Sequence, residues 1–380
     1  MKDHRLKKLA CLILDHSLEA KPRSRVLMDA QVTAKPLVKY IMQEACARGI
    51  LVIPNLLDEE VRRLYVEALD MNDGGFTEES VRLQNEWELA RLKHIHGYIN
   101  LRGPRNDMEL ADVDRDKVRY YHAHRREITD AVTSGLPWVL FEYPVPGQAQ
   151  KAGMAYDRFF DYVMDVTLVD YQRMYEGELQ LAKRMSETDR VEIKGPGTDL
   201  TFSIRGMPQI CCFGRRNLPD GEVYTAPVLD SANGIITYNV ASNYWDRTFD
   251  KVYFEMKDGR IVDFGCNGNR EELAQILNTD SGARRIGEFS FGLNPSISQP
   301  AGNVLFDEKI HGSFHFTPGN AYSSCFNGNK SAVHWDLVCI QRQEYGGGEI
   351  RFDGMLIRKD GKFVLEELEK LNPENLKSQV

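Results

Sequence analysis

The chain has 380 residues, of which 42% are hydrophobic and 27% charged, and its formal net charge is −8. These values are ordinary for a globular protein and exclude a disordered or fibrous chain, and the length predicts two domains, each large enough to bury its own core. The acidic balance argues against a nucleic-acid partner, because proteins that bind the phosphate backbone usually present a basic face.

The N-terminal segment predicts an amphipathic helix and no targeting signal. Its apolar stretch at residues 9–14 ends at Asp15 and has no small-residue cleavage site after it. No apolar run approaches the length of about 20 residues that crosses a bilayer, so we expect no membrane partner. The 7 cysteines are scattered, without a CxxC pair. This pattern is not typical of a disulfide framework or a zinc knuckle, and it favours the reducing cytoplasm.

The first half of the chain alternates helical and strand-like patterns. Pro36 lies where the first turn of a helix tolerates proline, and Gly49 is a C-cap signal, so a helix is predicted over residues 35–48. Further along, the patterns predict a strand at 50–54, a helix at 58–69, a helix at 114–134 and a strand at 136–143. This alternation predicts an α/β N-terminal domain with a mainly parallel sheet over residues 1–190.

The pattern of the chain changes near residues 188–195. Residues 155–185, before the change, are helical in pattern and rich in Tyr, Phe and Met, which we interpret as core or interface side chains. After it, short strand patterns follow one another, and Asp-Gly pairs at 258–259 and 360–361 indicate hairpins. A β-rich α+β domain is therefore predicted over residues 191–380.

Side chains of the types that bind divalent metals are concentrated between residues 220 and 340. They are Glu222, Glu288, Glu308, His311, His315, His334 and Asp336. His334 and Asp336 have alternating spacing, so in a strand both would point to one face, and imidazole nitrogen and carboxylate oxygen are ligands that suit zinc. Taken singly, such a residue is more often a surface residue or a satisfied polar group in the core than a metal ligand.

Longer motifs in the last half of the chain resemble the aminopeptidase T family of metallopeptidases, which includes aminopeptidases T and S and PepS. These motifs occur in the same order as in the family, and they are GTDLTFSI, NLPDGEVYTAPVLDSANG, GARRIGEFSFGLNP, NVLFDEKIHGSFHFTPGNAY, KSAVHWDLV and GEIRFDGMLI. The N-terminal half fits the family's α/β domain in general pattern, without a comparably specific motif.

The resemblance implies a dinuclear metal site in a catalytic C-terminal domain. Its metal ligands would be Glu222, Glu288, His315, His334 and Asp336, and its catalytic groups Glu288 and Tyr322. The resemblance implies two divalent ions, with zinc as the first expectation and cobalt, manganese or magnesium as the others. It also implies short peptides with a free N-terminus as substrates, and a homodimer that encloses its active sites.

Several assignments stay open on the sequence alone. Glu288 could act as the base that takes a proton from water, as a ligand that bridges both ions, or as both, whereas Tyr322 would donate a hydrogen bond to the oxyanion. His311 could be an extra polar contact in the pocket or a surface residue, and we expect the surface position. Arg284 and Arg285 could bind substrate, but we expect one of them to pair with a nearby carboxylate and hold the turn of Glu288. The alternatives to an aminopeptidase are another two-metal hydrolase, such as an amidohydrolase or phosphoesterase, and a non-enzymatic peptide-binding protein.

Overall fold

The computed structural model describes residues 3–245 and 247–377. Within these ranges the chain forms two compact units, the first reaching to residue 168 and including 214–218, the second comprising 169–213 and the residues from 219 onward. This division differs from the boundary predicted near residue 190, because the helix Tyr171–Ser186 packs against strands of the second unit. None of the described helices is long and apolar enough to cross a membrane.

The helices and strands are numbered here in chain order. The α-helices are α1 (His4–Cys11), α2 (Lys35–Ala47), α3 (Glu59–Ala68), α4 (Phe76–Leu92), α5 (Arg115–Gly135), α6 (Pro146–Lys151), α7 (Tyr156–Thr167), α8 (Tyr171–Ser186), α9 (Arg270–Leu277), α10 (Val304–Asp307) and α11 (Pro373–Leu376). The strands are β1 (Arg25–Gln31), β2 (Leu51–Leu57), β3 (Gly97–Arg102), β4 (Trp138–Glu142), β5 (Arg190–Gly195), β6 (Thr198–Ser203), β7 (Ile210–Cys212), β8 (Asn217–Leu218), β9 (Glu222–Thr225), β10 (Asn233–Thr237), β11 (Ser242–Tyr244), β12 (Arg247–Lys257), β13 (Arg260–Asn267), β14 (Ile286–Gly292), β15 (Ser313–Pro318), β16 (Val338–Ile340), β17 (Glu349–Phe352), β18 (Met355–Lys359) and β19 (Lys362–Phe363).

The first unit is built on a parallel sheet in the order β2-β1-β3-β4-β8. The predicted α/β domain with a parallel sheet is therefore confirmed. Two of its helices begin at a capping aspartate: the Asp58 carboxylate accepts hydrogen bonds from the first turn of α3, and the Asp114 carboxylate does the same for α5. These caps satisfy backbone N–H groups that have no partner within the helix.

The helical stretch predicted over residues 155–185 is divided into α7 and α8. Helix α7 ends at Thr167, and Asp170 begins α8 as its N-cap, because its carboxylate accepts a hydrogen bond from the backbone N–H of Arg173. An N-cap residue has non-helical dihedral angles. The chain therefore starts a new helix at this point.

The second unit is rich in antiparallel strands, as expected for the predicted β-rich α+β domain. One sheet runs β11-β12-β10-β6-β5-β17-β18-β19, with β13 paired to β12, and another runs β16-β15-β14-β9-β7. Both predicted Asp-Gly hairpins are present, joining β12 to β13 and β18 to β19. Asp258 and Gly259 have φ of 47° and 72°, and Asp360 and Gly361 have 50° and 80°. Positive φ at both central residues is what a type I′ turn requires.

Candidate metal centre

Three neighbouring strands of the five-stranded antiparallel sheet bring the first group of candidate ligands together. Strand β14 lies between β9 and β15, and Ser290 pairs in register with Tyr224 on one side and His315 on the other. Residues in register and residues two apart share a face of the sheet. Glu222, Glu288 and His315 consequently converge, with one ligand atom from each within 4.8 Å of the others.

Two glycines allow the backbone to approach closely at this place. A Cβ atom at Gly287 would lie 2.1 Å from the carbonyl oxygen of Asn320, and one at Gly319 would lie 2.1 Å from that of Val333. Gly319 also has a φ of 105° and forms an isolated bridge with His334. The absence of side chains at both positions lets the segment that carries His334 close over β14 and β15.

The second group of candidate ligands is Glu288, His334 and Asp336, again with ligand atoms within 4.8 Å of one another. The geometric expectation for His334 and Asp336 needs a correction, because they do not lie in a strand: β16 begins after them at Val338. Their side chains nevertheless face each other, with His334 Nε2 3.3 Å from Asp336 Oδ1. Convergence here depends on the loop and its bridge to Gly319, not on alternation.

Two hydroxyl groups orient the carboxylates. Ser290 Oγ donates to Glu222 Oε2 at 2.9 Å, and Thr317 Oγ1 donates to Asp336 Oδ1 at 2.7 Å. Sequence reasoning missed both residues. Each hydroxyl-bearing residue lies two positions beyond a candidate ligand on the same strand, Ser290 after Glu288 and Thr317 after His315. Alternation along a strand was therefore the signal that could have identified them.

The centre leaves buried ligand atoms unsatisfied. His334 Nδ1 lies 2.8 Å from the carbonyl oxygen of Asn320, an arrangement that places the hydrogen on Nδ1 and directs Nε2 toward the carboxylates. Among the described residues, neither His334 Nε2 nor Glu288 Oε2 has a hydrogen-bond partner, and these two atoms are 3.9 Å apart. Buried polar atoms are normally satisfied. A cation between them would satisfy both, so the residues fit a metal ion.

The charges within the centre are strongly coupled. Burial lowers the pKa of His315, but the hydrogen bond with Glu288 and the nearby Glu222 outweigh burial and raise it to about 9. Burial likewise lowers the pKa of His334, and Asp336 with Glu288 raises it to about 10. Protons on the imidazoles thus balance the carboxylates. A divalent cation would take over that role, because metal-bound histidine is neutral at the ligating nitrogen.

Tyr322 borders the second group of ligands. Its ring centroid lies 4.5 Å from that of His334 and 5.9 Å from that of Tyr224, and 44% of the residue is exposed. Desolvation together with the carboxylates of Asp336 and Glu288 raises the pKa of Tyr322 well above its usual value. The phenol therefore keeps its hydrogen at neutral pH and is available as a donor.

A buried lysine was missed by sequence reasoning. Lys309 is fully buried, and its Nζ lies 3.1 Å from Glu222 Oε1 and 4.0 Å from Asp220 Oδ1, with Glu308 as a further ion-pair partner. The local sequence offered little signal, because Lys309 directly follows Asp307 and Glu308 and resembles part of a solvated run of charges. Its full burial depends on these acidic partners, since lysine is almost never fully buried unless it is paired.

Two further expectations concern residues around the centre. His311 lies outside both ligand groups and is partly buried rather than on the surface; burial and Arg342 lower its pKa to about 4, so it is neutral. The expectation that one of the two adjacent arginines pairs with a carboxylate is confirmed for Arg285. Its guanidinium forms an ion pair with Asp230, and its carbonyl oxygen accepts a hydrogen bond from the N–H of Gly319 at 2.7 Å.

A family model described as "Thermophilic metalloprotease (M29)" matches residues 2–363. The chain belongs to the M29 family. Aminopeptidase 2 of Geobacillus stearothermophilus is 25% identical over 405 residues, which cover 94% of this chain and 95% of that protein. Aminopeptidase T of Thermus aquaticus is 24% identical over 411 residues, covering 94% and 96%. The resemblance stated from the motifs is confirmed, and the M29 protein described here is a hydrolase and a metal-dependent aminopeptidase.

Solved structures share the fold of this M29 chain. Wild-type AmpT from Thermus thermophilus superposes with a TM-score of 0.78 at 21% identity, over 95% of this chain and 99% of that one. A 2,5-dihydroxypyridine dioxygenase from Pseudomonas putida KT2440 superposes with a TM-score of 0.63 at 14% identity, over 97% and 99%. Proteins named for different reactions thus share this architecture, so the fold alone does not determine the reaction.

Proposed function

We propose that this M29 chain releases N-terminal residues from short peptides at a site that holds two divalent metal ions. One ion would be held by Glu222, Glu288 and His315, the other by Glu288, His334 and Asp336. The observation that carries the proposal is the shared carboxylate: Glu288 Oε1 lies 2.8 Å from His315 Nε2, and Glu288 Oε2 lies 3.9 Å from His334 Nε2. Each oxygen faces a different group of ligands.

The donor set favours zinc, with cobalt, manganese or magnesium as the other candidates. Both ligand groups consist of carboxylates and imidazoles, without a thiolate. When bound, a divalent ion pair supplies a lowered pKa for the attacking water and polarisation of the scissile carbonyl group.

Glu288 would act both as the shared ligand and as the group that moves the proton. Its carboxylate is buried, and burial raises its pKa, an effect that the hydrogen bond with His315 opposes. A raised pKa suits a carboxylate that takes a proton from water and later delivers it to the leaving amine.

Tyr322 would stabilise the transition state. Its phenol is protonated and its ring lies against His334 at the exposed side of the centre. A hydrogen bond from this hydroxyl to the developing oxyanion is an interaction worth about 2.7–4 kcal/mol per donor.

The enzyme would be a cytoplasmic homodimer that requires a free N-terminus on its substrate. A cytoplasmic location is supported by the cysteines, all 7 of which lie in the described part of the chain and are free thiols. The requirement for a free N-terminus and the homodimer rest on the resemblance of the motifs.

The test combines metal analysis with a substrate panel. Purified protein is assayed on aminoacyl chromogenic substrates and on paired peptides with free and acetylated N-termini, before and after chelation. We expect cleavage of the free peptides alone, loss of activity on chelation, and recovery with Zn²⁺, Co²⁺ or Mn²⁺. Full activity in metal-free protein would contradict the mechanism. Turnover of phosphomonoesters or acylated amides instead would favour another two-metal hydrolase, and metal-loaded protein that binds peptides without cleaving them would favour a binding protein.

A further inference from the structure

The ammonium group of Lys309 is built into the wall of the metal centre. It is fully buried, and its nitrogen lies 3.1 Å from Glu222 Oε1, with Glu308 and Asp220 as further acidic neighbours. Burial of a lysine is tolerated when carboxylates compensate its charge. Lys309 is therefore a fixed positive charge in contact with a candidate metal ligand.

The position taken by this ammonium is one that a cation could otherwise fill. Cys212, Asp220 and Glu222 form a group with ligand atoms within 4.8 Å of one another, and Lys309 pairs with both carboxylates of that group. The neighbouring Glu178 is fully buried, and neither of its carboxylate oxygens has a hydrogen-bond partner in the part of the chain that the structure describes. Burial, together with Asp220 and Glu222, raises the pKa of Glu178 well above the usual value.

The two groups of metal ligands are consequently unequal. Glu222 divides its carboxylate, with Oε1 on Lys309 and Oε2 3.3 Å from His315 Nε2. The carboxylates of Glu288 and Asp336 form ion pairs with histidines alone; in the described residues no lysine or arginine pairs with either. A metal ion beside Glu222 has to share its ligand with a nearby positive charge, whereas an ion beside Asp336 does not.

We propose that Lys309 separates the affinities of the two metal sites. The ion held by Glu288, His334 and Asp336 binds first and tightly, and the ion held with Glu222 binds second and more weakly, because the ammonium repels it and competes for its ligand. The inference rests on the two-metal site proposed above and adds an order of filling. At low metal concentration the enzyme would carry a single ion.

Titration of metal-free protein with Co²⁺, followed by calorimetry and by visible absorption, tests this order. The wild type should bind two ions in separate steps whose dissociation constants differ by about 10-fold or more, and Lys309→Gln should reduce that ratio by about 10-fold by strengthening the second step. Lys362→Gln, which removes a lysine paired with Glu374 on the surface, is the matched control and should leave the ratio unchanged.

A second variant shifts the ratio in the opposite direction and keeps the test independent of how well Lys309→Gln folds. Burial raises the pKa of Glu308 to about 8, so the titration is made above pH 8, where Glu308→Gln removes a negative charge beside Lys309. The second step should then weaken by about 10-fold and the ratio should increase. Equal steps in the wild type, or a ratio that neither variant changes, would overturn the inference.

Stoichiometry supplies a further readout that does not depend on catalysis. One ion in the wild type and two in Lys309→Gln would support the role of Lys309, whereas one ion in both would overturn it. Two unequal steps in a protein that cleaves no peptide would sustain this inference while contradicting the proposed function.

Discussion

Glu288 contacts both groups of ligands, so its replacement separates a ligand role from a purely catalytic one. Glu288→Gln keeps the size of the side chain but removes its charge and its capacity to accept a proton. We expect turnover to be nearly abolished and metal content to decrease by at least one ion per chain, because each carboxylate oxygen faces a different imidazole. Metal analysis and steady-state kinetics on the same preparation give both quantities.

The control for this variant is Glu255→Gln, which changes an exposed glutamate on β12. It should leave both metal content and turnover unchanged. If Glu288→Gln keeps its full metal content and loses only turnover, Glu288 is a base and not a bridging ligand.

Tyr322 is expected to contribute to chemistry and not to metal binding. A neutral phenol is a weak ligand beside carboxylates and imidazoles, so Tyr322→Phe should retain close to normal metal content while kcat decreases by about 10² to 10³. The neighbouring Tyr224 is the matched control, because its hydroxyl is 2.9 Å from Ser324 Oγ and is engaged there. Tyr224→Phe should have a much smaller effect on kcat. A Tyr322→Phe enzyme within a few-fold of the wild type would remove Tyr322 from the mechanism.

At the scale of elements, the approach of the loop of His334 to strand β15 depends on Gly319. In Gly319→Ala the new Cβ would lie 2.1 Å from the carbonyl oxygen of Val333, at a φ of 105°. A non-glycine residue in this backbone conformation costs about 1–3 kcal/mol. In addition, the loop has to move to relieve the clash with Val333. We expect a lower melting temperature and weaker metal binding, measured by thermal unfolding and metal titration.

Gly328 separates the effect of backbone conformation from that of the steric clash. Its φ is 97°, but a Cβ there would meet nothing closer than Leu229 Cδ2 at 3.9 Å. Gly328→Ala should therefore show a cost in stability with metal binding unchanged. Equal metal affinities in Gly319→Ala and the wild type would show that the close approach is not needed.

The elements that the sequence predicted correctly are those with local signals. The Asp-Gly pairs lie in tight hairpins, and the helix predicted over residues 58–69 begins directly after its capping aspartate. Helix α4 had no such signal. Its buried positions include Thr77 and Asn85, so the polar residues that face the core obscure the apolar stripe.

The candidate site was predictable where the motifs carried the ligands and unpredictable where distant segments meet. In a strand, the alternating spacing of His334 and Asp336 would place both side chains on one face, but a loop places them side by side. Lys309 contacts Glu222 across 87 positions of the chain. Because the environment of a buried charge is created by tertiary packing, no local pattern reveals its partners.

At the scale of the whole molecule, bound metal should stabilise the folded state. The ligands come from β9, β14, β15 and the loop before β16, so an ion connects segments that are far apart in the sequence. A ligand that binds only the folded state contributes about 2.7 kcal/mol at a concentration of 100 times its dissociation constant. We expect a chelator to lower the melting temperature in calorimetry and a chelator already saturated with zinc to leave it unchanged. The same melting temperature with and without metal would contradict the proposed centre.

The return of the chain to the first unit at residues 214–218 has a consequence for biosynthesis. Strand β8 is the last strand of the parallel sheet and pairs with β4, but along the chain it is separated from β4 by helices α6 to α8 and strands β5 to β7. While the polypeptide leaves the ribosome, the N-terminal sheet therefore keeps the edge of β4 uncovered until residue 218 has emerged. An exposed strand edge is a place where chains pair wrongly. We therefore expect the nascent protein to have an aggregation-prone strand edge in the interval before β8 arrives.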